Sequence, residues 1–293
     1  MEDVINVLKN SCIHISELIR NNNSLEMGKL TNNNNVSGDN TKILDIETHH
    51  ILTNDLRKCK YVKRLISEES EKIIDTENEE GKYLVCYDPL DGSSNIDINV
   101  GTGTIFSIFD NDKIKTGRNI IAAGYCIYSS STQLVLAYNK EVNMYQLIDR
   151  EFKLIKKNIK IPNKGNIYSI NESYRLEWKH TYDKQMIMKC LINKYNFRCV
   201  GSLVLDAHRI LMNGGFFSYP INKSNKQGKI RLIYEAYPIA YIIYLAGGYA
   251  TSLYDDILKL GFPIDDIHKK TELRLFSYHE YIDFINIRDF RHP

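Results

Sequence analysis

The chain has 293 residues and a nearly balanced charge, with 38 Lys and Arg against 36 Asp and Glu and a formal net charge of +2. Hydrophobic residues make up 43% of it and charged residues 25%, which is typical of a globular protein with a large core. The basic residues are spread along the chain, which argues against nucleic-acid binding, and no apolar run approaches the length of a membrane span. Because the acidic N-terminus also lacks the layout of a signal peptide, we predict a cytoplasmic protein.

The six cysteines are scattered, and no two of them form a Cys-x-x-Cys pair. Zinc motifs and thioredoxin-like motifs therefore have no support in this sequence. Scattered thiols are typical of a protein from a reducing compartment, which agrees with the predicted cytoplasmic location.

In chain order, the sequence opens with an amphipathic helix, because apolar residues from Val4 to Ile19 recur at helical spacing. The asparagine-rich stretch of residues 21–40 predicts a polar, turn-prone and mobile loop. Helical spacing returns from about Ile43 to Leu56. A strand is then predicted from Tyr61 to Ser67, and it ends on a pair of glutamates.

From residue 81 to residue 160 the pattern changes, because β-rich runs alternate with turn residues. The predicted strands are Tyr83–Tyr87, Thr104–Phe109, Asn119–Tyr128, Gln133–Ala137 and Asn143–Ile148, followed by Ile167–Ile170. Predicted helices reappear at about Thr181–Asn193, Ser202–Met212, Ile233–Ala246 and His279–Ile287. Helices at both ends of a strand-rich middle predict a mixed α and β fold.

The most informative segment runs from Tyr83 to Asp97. An apolar strand stops at Asp88, a proline turn is predicted after it, and a second acid, Asp91, precedes the loop Gly92-Ser93-Ser94. Two carboxylates held close repel each other unless a cation lies between them, and a Gly-Ser-Ser loop lets backbone N–H groups approach a phosphate. A metal site beside a phosphate loop predicts metal-assisted phosphoryl chemistry.

Other acids fall at the ends of predicted elements or far downstream, and they are Asp39, Asp45, the pair Glu68-Glu69 and Glu235. Carboxylates at strand ends can converge on one crevice, where Mg²⁺ binds a few of them together with substrate phosphate. On its own the Glu68-Glu69 pair favours a solvated turn. His49-His50 resembles a metal-binding pair, but adjacent residues do not share a helix face, so we predict that the two do not bind a metal together.

The run Asp88-Pro-Leu-Asp-Gly-Ser-Ser-Asn-Ile-Asp97 resembles the signature of class I fructose-1,6-bisphosphatases, part of a wider group of metal-dependent, lithium-sensitive sugar and inositol phosphatases. Other stretches resemble further family motifs in the same order, and they are Val36-Ser-Gly-Asp39, Lys42-Ile-Leu-Asp45, Ser67-Glu-Glu, Gly117-Arg-Asn-Ile-Ile-Ala-Ala-Gly-Tyr, Ile167-Tyr-Ser-Ile-Asn-Glu-Ser-Tyr174, Tyr219-Pro-Ile-Asn and Gly228-Lys-Ile-Arg-Leu-Ile-Tyr-Glu235. The resemblance implies a layered αβαβα sandwich, the sugar-phosphatase fold. It also implies a metal-binding and AMP-type subdomain over residues 1–160 and a sugar-phosphate-binding subdomain over residues 161–293.

The same resemblance implies a role for each acid. The implied ligands of Mg²⁺, for which Mn²⁺ or Zn²⁺ could substitute, are Glu68, Glu69, Asp88, Asp91, Glu235 and the carbonyl oxygen of Leu90. Asp45, together with Glu69, would accept a proton from the metal-activated water that attacks the 1-phosphate. Asp39 and Arg231 would latch a mobile loop over the metals.

Substrate contacts are implied in two groups. Gly92, Ser93 and Ser94 would hold the 1-phosphate. The residues implied at the sugar and the 6-phosphate are Asn171, Tyr174, Tyr219 and Lys229. Arg198 would reach the 6-phosphate of a neighbouring subunit within a homotetramer, a dimer of dimers, because a bidentate guanidinium suits a phosphate.

The activity that the resemblance implies is hydrolysis of the 1-phosphate of fructose 1,6-bisphosphate to fructose 6-phosphate and phosphate, a step of gluconeogenesis. One alternative is a phosphatase that acts on sedoheptulose bisphosphate or on an inositol phosphate. Another is a non-catalytic regulatory homologue. Arg198 and Lys229 favour a substrate with two phosphates, which disfavours inositol monophosphate, and the filled metal-ligand positions disfavour a non-catalytic protein.

Two departures from the family pattern bear on specificity and regulation. Cys199 stands where the family usually has a tyrosine that contacts the 6-phosphate, so we expect weaker substrate binding or broader sugar specificity. Lys82, Tyr83 and Arg118 match family contacts to AMP, but the Thr-Gly-Glu segment of that site has no counterpart before the first helix. We therefore expect weak or absent inhibition by AMP.

Overall fold

Two main β-sheets and seven α-helices make up the fold in this computed structural model, which describes residues 1–34 and 40–289. The helices are α1 (Glu2–Asn21), α2 (Ser24–Met27), α3 (Ile43–Arg57), α4 (Tyr182–Ile192), α5 (Leu203–Asn213), α6 (Tyr237–Leu245) and α7 (Tyr278–Asp289). The strands are β1 (Leu30–Asn34), β2 (Asn40–Lys42), β3 (Val62–Ser67), β4 (Ile74–Asp75), β5 (Tyr83–Asp91), β6 (Thr102–Asp110), β7 (Ile120–Tyr128), β8 (Thr132–Tyr138), β9 (Glu141–Ile148), β10 (Glu151–Lys156), β11 (Ile167–Ile170), β12 (Asn196–Phe197), β13 (Phe216–Tyr219), β14 (Ile230–Arg231), β15 (Tyr249–Thr251), β16 (Lys270–Thr271) and β17 (Leu273–Phe276).

The larger sheet has eight strands in the order β10-β9-β8-β7-β6-β5-β3-β4, and only β3 and β5 pair in parallel among its neighbours. Residues 83–87 of β5 form a continuous apolar run, as is typical of a strand whose sheet is covered on both faces. Leu84 and Cys86 pack against residues of α5 and α6, whereas Val85 and Tyr87 pack against residues of α1 and α3.

The elements stack in five layers. Helices α1 and α3 cover one face of the larger sheet, and α5 and α6 cover its other face. The same two helices also contact the smaller sheet, whose strand order is β12-β11-β13-β17-β15, and α4 and α7 close its outer face. Because α6 lies between two sheets, its sequence is apolar on nearly all sides. The αβαβα sandwich is confirmed.

The asparagine-rich stretch is more ordered than predicted. Helix α2 begins after Asn23, whose side chain accepts the backbone N–H of Leu25 at 3.0 Å, as a helix N-cap does. Strands β1 and β2 pair as a hairpin, with Leu30 opposite Lys42. The predicted loop is therefore wrong for most of residues 21–34, because short polar side chains cap helices as readily as they form turns. Residues 35–39 lie outside the described residues.

Glycines follow two of the helices, as is common at helix C-termini. Gly214 follows α5 with φ of 72°, and Gly247 follows α6 with φ of 91°, both in the left-handed region that favours glycine. In the described part of the chain, no helix combines the length and the apolar character needed to cross a bilayer.

Candidate active site

The parallel pairing of β3 and β5 brings the acids of two motifs to one edge of the larger sheet. Ser67 at the end of β3 lies beside Tyr87 of β5, and the N–H of Glu68 donates to the carbonyl oxygen of Tyr87 at 3.2 Å. Glu68 and Glu69 therefore follow β3 next to Asp88, at the carboxyl ends of both strands. Glu68 and Asp88 are 20 positions apart in the sequence, and the register between β3 and β5 brings them next to each other.

Strand β5 continues through Pro89 to Asp91, so the predicted turn at this proline is wrong. Strand β6 places Ile105 opposite Asp88 and Gly103 opposite Asp91, so two residues of β5 oppose one of β6. Such a bulge tolerates proline because no ladder hydrogen bond needs its missing N–H. In a regular strand residues three apart face opposite sides, and the extra residue turns Asp88 and Asp91 toward the same cavity.

Asp88, Asp91 and Glu235 form a buried cluster in which one carboxylate oxygen of each lies within 4.8 Å of the other two. Their side chains are almost fully buried. Asp88 accepts the N–H of Leu90 at 2.9 Å across the bulge, which fixes the carboxylate locally. Three buried acids at this separation form an arrangement of hard oxygen donors suited to a divalent cation.

Asp91 lies at the N-terminus of α5. Its carboxylate accepts the hydroxyl of Ser202 at 2.6 Å and the N–H of Val204 at 2.8 Å. Asp91 therefore accepts a backbone N–H in the first turn of α5 that a capping side chain would otherwise accept. The positive end of the helix dipole also faces this carboxylate. Helix α5 thereby holds one acid of the cluster in place.

Glu235 belongs to a π-helical turn, Leu232–Ala236, that leads into α6. Its carboxylate accepts the backbone N–H of Arg231, and the guanidinium of Arg231 pairs with Glu68 at 3.0 Å. Both side chains of that ion pair are largely buried. Arg231 thus balances the charge of one acid at the edge of the cluster.

Burial disfavours the ionised form of these acids. Burial, with repulsion from Glu68, Asp91 and Glu235, raises the pKa of Asp88 well above its ordinary value. Burial also raises the pKa of Asp91 to about 6, although the bonds from Ser202 and Val204 oppose the shift. Burial raises the pKa of Glu235 to about 8 against the opposing charge of Arg231. The protein alone therefore does not supply the positive charge that would be needed to keep all three acids ionised.

Asp45 and Glu69 line the same cavity as the cluster. Asp45 stands in the first turn of α3, where its carboxylate accepts the N–H of Lys42 at 2.8 Å. Burial raises the pKa of Asp45 to about 6, with a smaller contribution from the charge of Glu68. A carboxylate with a pKa near neutrality is suited to accept a proton in catalysis.

The loop Gly92-Ser93-Ser94 follows Asp91 and also lines the cavity. Gly92 has φ of 79°, and a Cβ at this position would lie 2.6 Å from Cβ of Ser202. Only glycine therefore fits between the acid cluster and α5. Ser93 opens a 3-10 turn that ends at Asn95.

A second group of side chains lines the cavity, whose volume is about 450 Å³. It consists of Asn171, Cys199, Tyr219 and Lys229. Asn171 lies at the end of β11 and Tyr219 at the end of β13, its parallel neighbour, so strand ends of the smaller sheet supply both residues. Cys199, which stands where the family pattern predicts a tyrosine, is an exposed free thiol and lines the cavity.

Two predicted substrate contacts do not line this cavity within the described residues. Tyr174 ends the short turn Glu172–Tyr174 and packs against the core of the smaller sheet. Arg198 is exposed, and its guanidinium donates to the carbonyl oxygen of Phe197 at 2.7 Å. Asp39, predicted as part of the loop latch, lies outside the described residues.

The three residues predicted as AMP contacts lie away from the acid cluster. Lys82 and Tyr83 stand at the start of β5, whose opposite end carries Asp91. Arg118 donates to Asp256 at 2.5 Å, and its guanidinium lies 5.3 Å from the centre of the Tyr244 ring.

The structure adds site residues that the sequence did not identify. Ser202 positions Asp91, and Asp206, also in the cavity wall, accepts the N–H groups of Val200 and Gly201 beside Cys199. The available signal was Gly201-Ser202 ahead of a helical pattern, which marks a helix start. This signal does not reveal that the hydroxyl of Ser202 donates to Asp91 and makes no capping hydrogen bond to its own helix.

Comparison with known proteins covers nearly all of the chain. A family model described as the N-terminal domain of fructose-1-6-bisphosphatase matches residues 1–157, and one described as its C-terminal domain matches residues 161–288. Fructose-1,6-bisphosphatase 1 of Rattus norvegicus is 40% identical over an alignment of 303 positions, gaps included, and the alignment covers 98% of this chain and 83% of the relative. Fructose-1,6-bisphosphatase class 1 of Sulfurihydrogenibium sp. (strain YO3AOP1) is 41% identical over 255 aligned positions, which cover 84% of this chain and 78% of that relative.

The fold comparison agrees with the sequence matches. The crystal structure of Leishmania major fructose-1,6-bisphosphatase in holo form superimposes with a TM-score of 0.92 at 34% identity, covering 98% of this chain and 93% of that one. The family models, the relatives and this structure lead to one conclusion: the chain belongs to the fructose-1,6-bisphosphatase family.

Proposed function

We propose that this protein is a phosphoric monoester hydrolase that converts fructose 1,6-bisphosphate to fructose 6-phosphate and phosphate, a reaction of gluconeogenesis. The observation that carries the proposal is one cavity of about 450 Å³ that holds both the buried acid cluster and the group around Lys229. The acids suit a metal-assisted attack on one phosphate, and a lysine with a tyrosine suits binding of the other. The names of the family models and of the relatives support the same reaction.

The acid cluster fits a hard divalent cation, because it offers only oxygen donors and because burial opposes the ionisation of its acids unless a positive charge is present. We propose Mg²⁺, with Mn²⁺ or Zn²⁺ as substitutes, held by Glu68, Glu69, Asp88, Asp91, Glu235 and the carbonyl oxygen of Leu90. When bound, such an ion lowers the pKa of nearby water and offsets the charge that develops on the phosphoryl group.

The protein groups around the cluster account for the remaining steps. Asp45 and Glu69 would take the proton from the attacking water. The backbone N–H groups of Gly92, Ser93 and Ser94 would bind the oxygens of the 1-phosphate, because glycine lets the chain approach closely. Water attacks the phosphorus directly, in line with the departing sugar oxygen, and no phosphoenzyme forms.

The sugar and its 6-phosphate would bind to Asn171, Tyr174, Tyr219 and Lys229. Burial raises the pKa of Tyr219, with an opposing effect from Lys229, which supports a neutral phenol beside a cation. We propose that Arg198 serves the site of a neighbouring subunit in a homotetramer. The exposure of Arg198 and its position outside its own chain's cavity support this role.

The remaining assignments complete the proposal. Asp39 and Arg231 would latch a loop over the metals, residues 1–160 would form the metal-binding and AMP-type subdomain, and residues 161–293 would form the sugar-phosphate subdomain. A cytoplasmic location is proposed from the sequence. Lys82, Tyr83 and Arg118 would be the remnant of an AMP site, and the engagement of Arg118 by Asp256 and Tyr244 supports weak binding of AMP there.

A sedoheptulose bisphosphatase is the second candidate, because Cys199 opens the cavity where a bulkier tyrosine is expected from the family pattern. The deciding experiment compares Mg²⁺-dependent phosphate release from fructose 1,6-bisphosphate, sedoheptulose bisphosphate and inositol monophosphate. The proposal predicts the highest kcat/KM for fructose 1,6-bisphosphate. A higher value for the seven-carbon sugar or for inositol monophosphate would contradict it, and no release from any of them would favour a non-catalytic homologue.

A further inference from the structure

A chain of hydrogen-bonded polar side chains, half-buried at His49 and buried at Ser67, Thr53 and Tyr87, adjoins Glu68 and Glu69. His49 stands one turn after Asp45 on α3, and its Nδ1 lies 2.8 Å from the hydroxyl oxygen of Ser67. Ser67 is fully buried and is the last residue of β3, so it directly precedes the two glutamates. The neighbouring His50 is exposed, which leaves His49 as the histidine that faces the site.

The hydrogen bonds extend from this contact in both directions. The hydroxyl of Ser67 accepts the backbone N–H of Glu69 at 3.3 Å. On the far side of the imidazole, Nε2 of His49 lies 3.5 Å from the hydroxyl of Thr53, which is 2.7 Å from the phenol oxygen of Tyr87. The chain therefore connects α3 and β5 to the backbone of Glu69.

The protons can be assigned from the geometry. Burial, with the charges of His50 and Arg57, lowers the pKa of His49 to about 4, so its ring is neutral and one nitrogen accepts. A serine hydroxyl that accepts the N–H of Glu69 can still donate its own proton, and Nδ1 of His49 lies 2.8 Å from it, in position to accept that proton. Nε2 then keeps the ring proton and faces Thr53.

We propose that His49 is a positioning residue for the metal site: by holding the hydroxyl of Ser67, it fixes the backbone at Glu69 and directs both glutamate carboxylates into the cavity. The inference rests on the proposed role of Glu68 and Glu69 as metal ligands. Groups that orient metal ligands from behind typically change metal affinity 10- to 100-fold when removed.

The test measures binding of Mn²⁺ alone, by electron paramagnetic resonance of the free ion, to the full-length protein without substrate. His49→Leu should raise the Mn²⁺ dissociation constant about 10- to 100-fold, because leucine cannot bond to Ser67. His49→Asn should stay within about 3-fold of wild type, because its amide oxygen can take the place of Nδ1. His50→Leu, the exposed neighbour, is the matched control and should bind Mn²⁺ like wild type.

Kinetics provide a second readout. In His49→Leu the Mg²⁺ concentration for half-maximal activity should rise, while KM for the sugar bisphosphate at saturating Mg²⁺ should not change. Should His49→Leu not fold, Ser67→Ala removes the same hydrogen bonds and should weaken Mn²⁺ binding as much. Wild-type affinity in folded His49→Leu or Ser67→Ala would overturn the inference, as would an equal loss in His49→Asn.

The outcomes for this inference and for the proposed function can be told apart. If wild-type protein binds Mn²⁺ and releases phosphate while His49→Leu does the same with unchanged constants, only the positioning role of His49 is wrong. If wild-type protein neither binds Mn²⁺ nor releases phosphate, both the inference and the proposed function are wrong.

Discussion

The hydroxyl of Ser202 donates to the carboxylate of Asp91 at 2.6 Å, and this contact links the acid cluster to the N-terminus of α5. Asp91 ends β5 of the larger sheet, whereas Ser202 immediately precedes α5, which lies between the two sheets. The bond from the N–H of Val204 reinforces the contact. The acid cluster is therefore held by the layer that also contacts β11 and β13 of the smaller sheet.

Replacing Asp91 tests the acid cluster. Asp91→Ala should lower kcat by roughly 10²- to 10³-fold or more, because it removes a charged group from the reacting centre. The fold should remain intact, as judged by circular dichroism. Ser202→Ala, which keeps the carboxylate, is the matched control and should retain measurable turnover. A normal kcat for Asp91→Ala would contradict the assignment of the site.

Asp88→Asn tests whether the cluster is strained without a cation. The amide keeps the oxygen that accepts the N–H of Leu90 but has no carboxyl group whose ionisation burial and the neighbouring acids oppose. In EDTA its Tm should therefore exceed that of wild type by about 2–4 °C, which corresponds to about 1 kcal/mol. Added Mg²⁺ should raise the Tm of wild type and leave that of Asp88→Asn nearly unchanged.

The control for this experiment is Asp265→Asn, which removes one charge from an exposed position. It should leave Tm in EDTA and the response to Mg²⁺ as in wild type. A lower Tm for Asp88→Asn in EDTA, or an equal gain with Mg²⁺, would show that the cluster needs no cation.

Cys199→Tyr tests the sugar end of the cavity. A phenol here should add a hydrogen bond to the charged 6-phosphate, worth about 1.5–3 kcal/mol, and so lower KM roughly 10- to 100-fold. Cys199→Phe supplies the ring without the hydroxyl, and its KM should fall much less. An unchanged or higher KM for the tyrosine variant, measured by phosphate release, would count against contact between this position and the substrate.

The pH dependence of stability should reflect His208. Its Nδ1 lies 2.9 Å from the hydroxyl oxygen of Tyr125, and burial, with the charge of Arg209, lowers its pKa from 6.5 to about 4. Because the unfolded chain binds this proton first, the contribution of His208 is fully present above pH 6.5 and is lost as pH falls toward 4. The loss amounts to at most about 1.4 kcal/mol per pH unit.

Urea unfolding at pH 7 and pH 5 measures this effect. The difference in the free energy of unfolding between the two pH values should be smaller in His208→Gln than in wild type. Other titrating groups contribute equally to both proteins and cancel in the comparison. Equal differences in the two proteins would show that His208 titrates normally in the folded state.

Much of the site could be predicted because it is encoded locally. The run from Asp88 to Ser94 carries acids and small residues whose chemistry is visible without a fold, and the apolar runs on either side require a sheet covered on both faces. The mixed α and β content follows from patterns of the same kind, whereas the αβαβα order is implied by the resemblance to the family.

The remainder depends on contacts between distant segments. The bulge at Pro89 is set by the register of β6, and the sequence around the proline favours a turn equally well. From the sequence alone, Ser202 is predicted to be an ordinary helix cap, and only the packing of α5 against β5 shows that its hydroxyl donates to Asp91. His49 and His50 look equivalent in sequence, and only the packing of α3 against β3 distinguishes them.

Phosphorus NMR of the reaction in ¹⁸O-labelled water would show whether water attacks the phosphorus of the 1-phosphate at the acid cluster. With wild-type protein, Mg²⁺ and fructose 1,6-bisphosphate, we expect fructose 6-phosphate and phosphate that carries one solvent oxygen, and no reaction in EDTA. Formation of fructose 1-phosphate, release of phosphate that carries no solvent oxygen, or release of phosphate without a metal would contradict it.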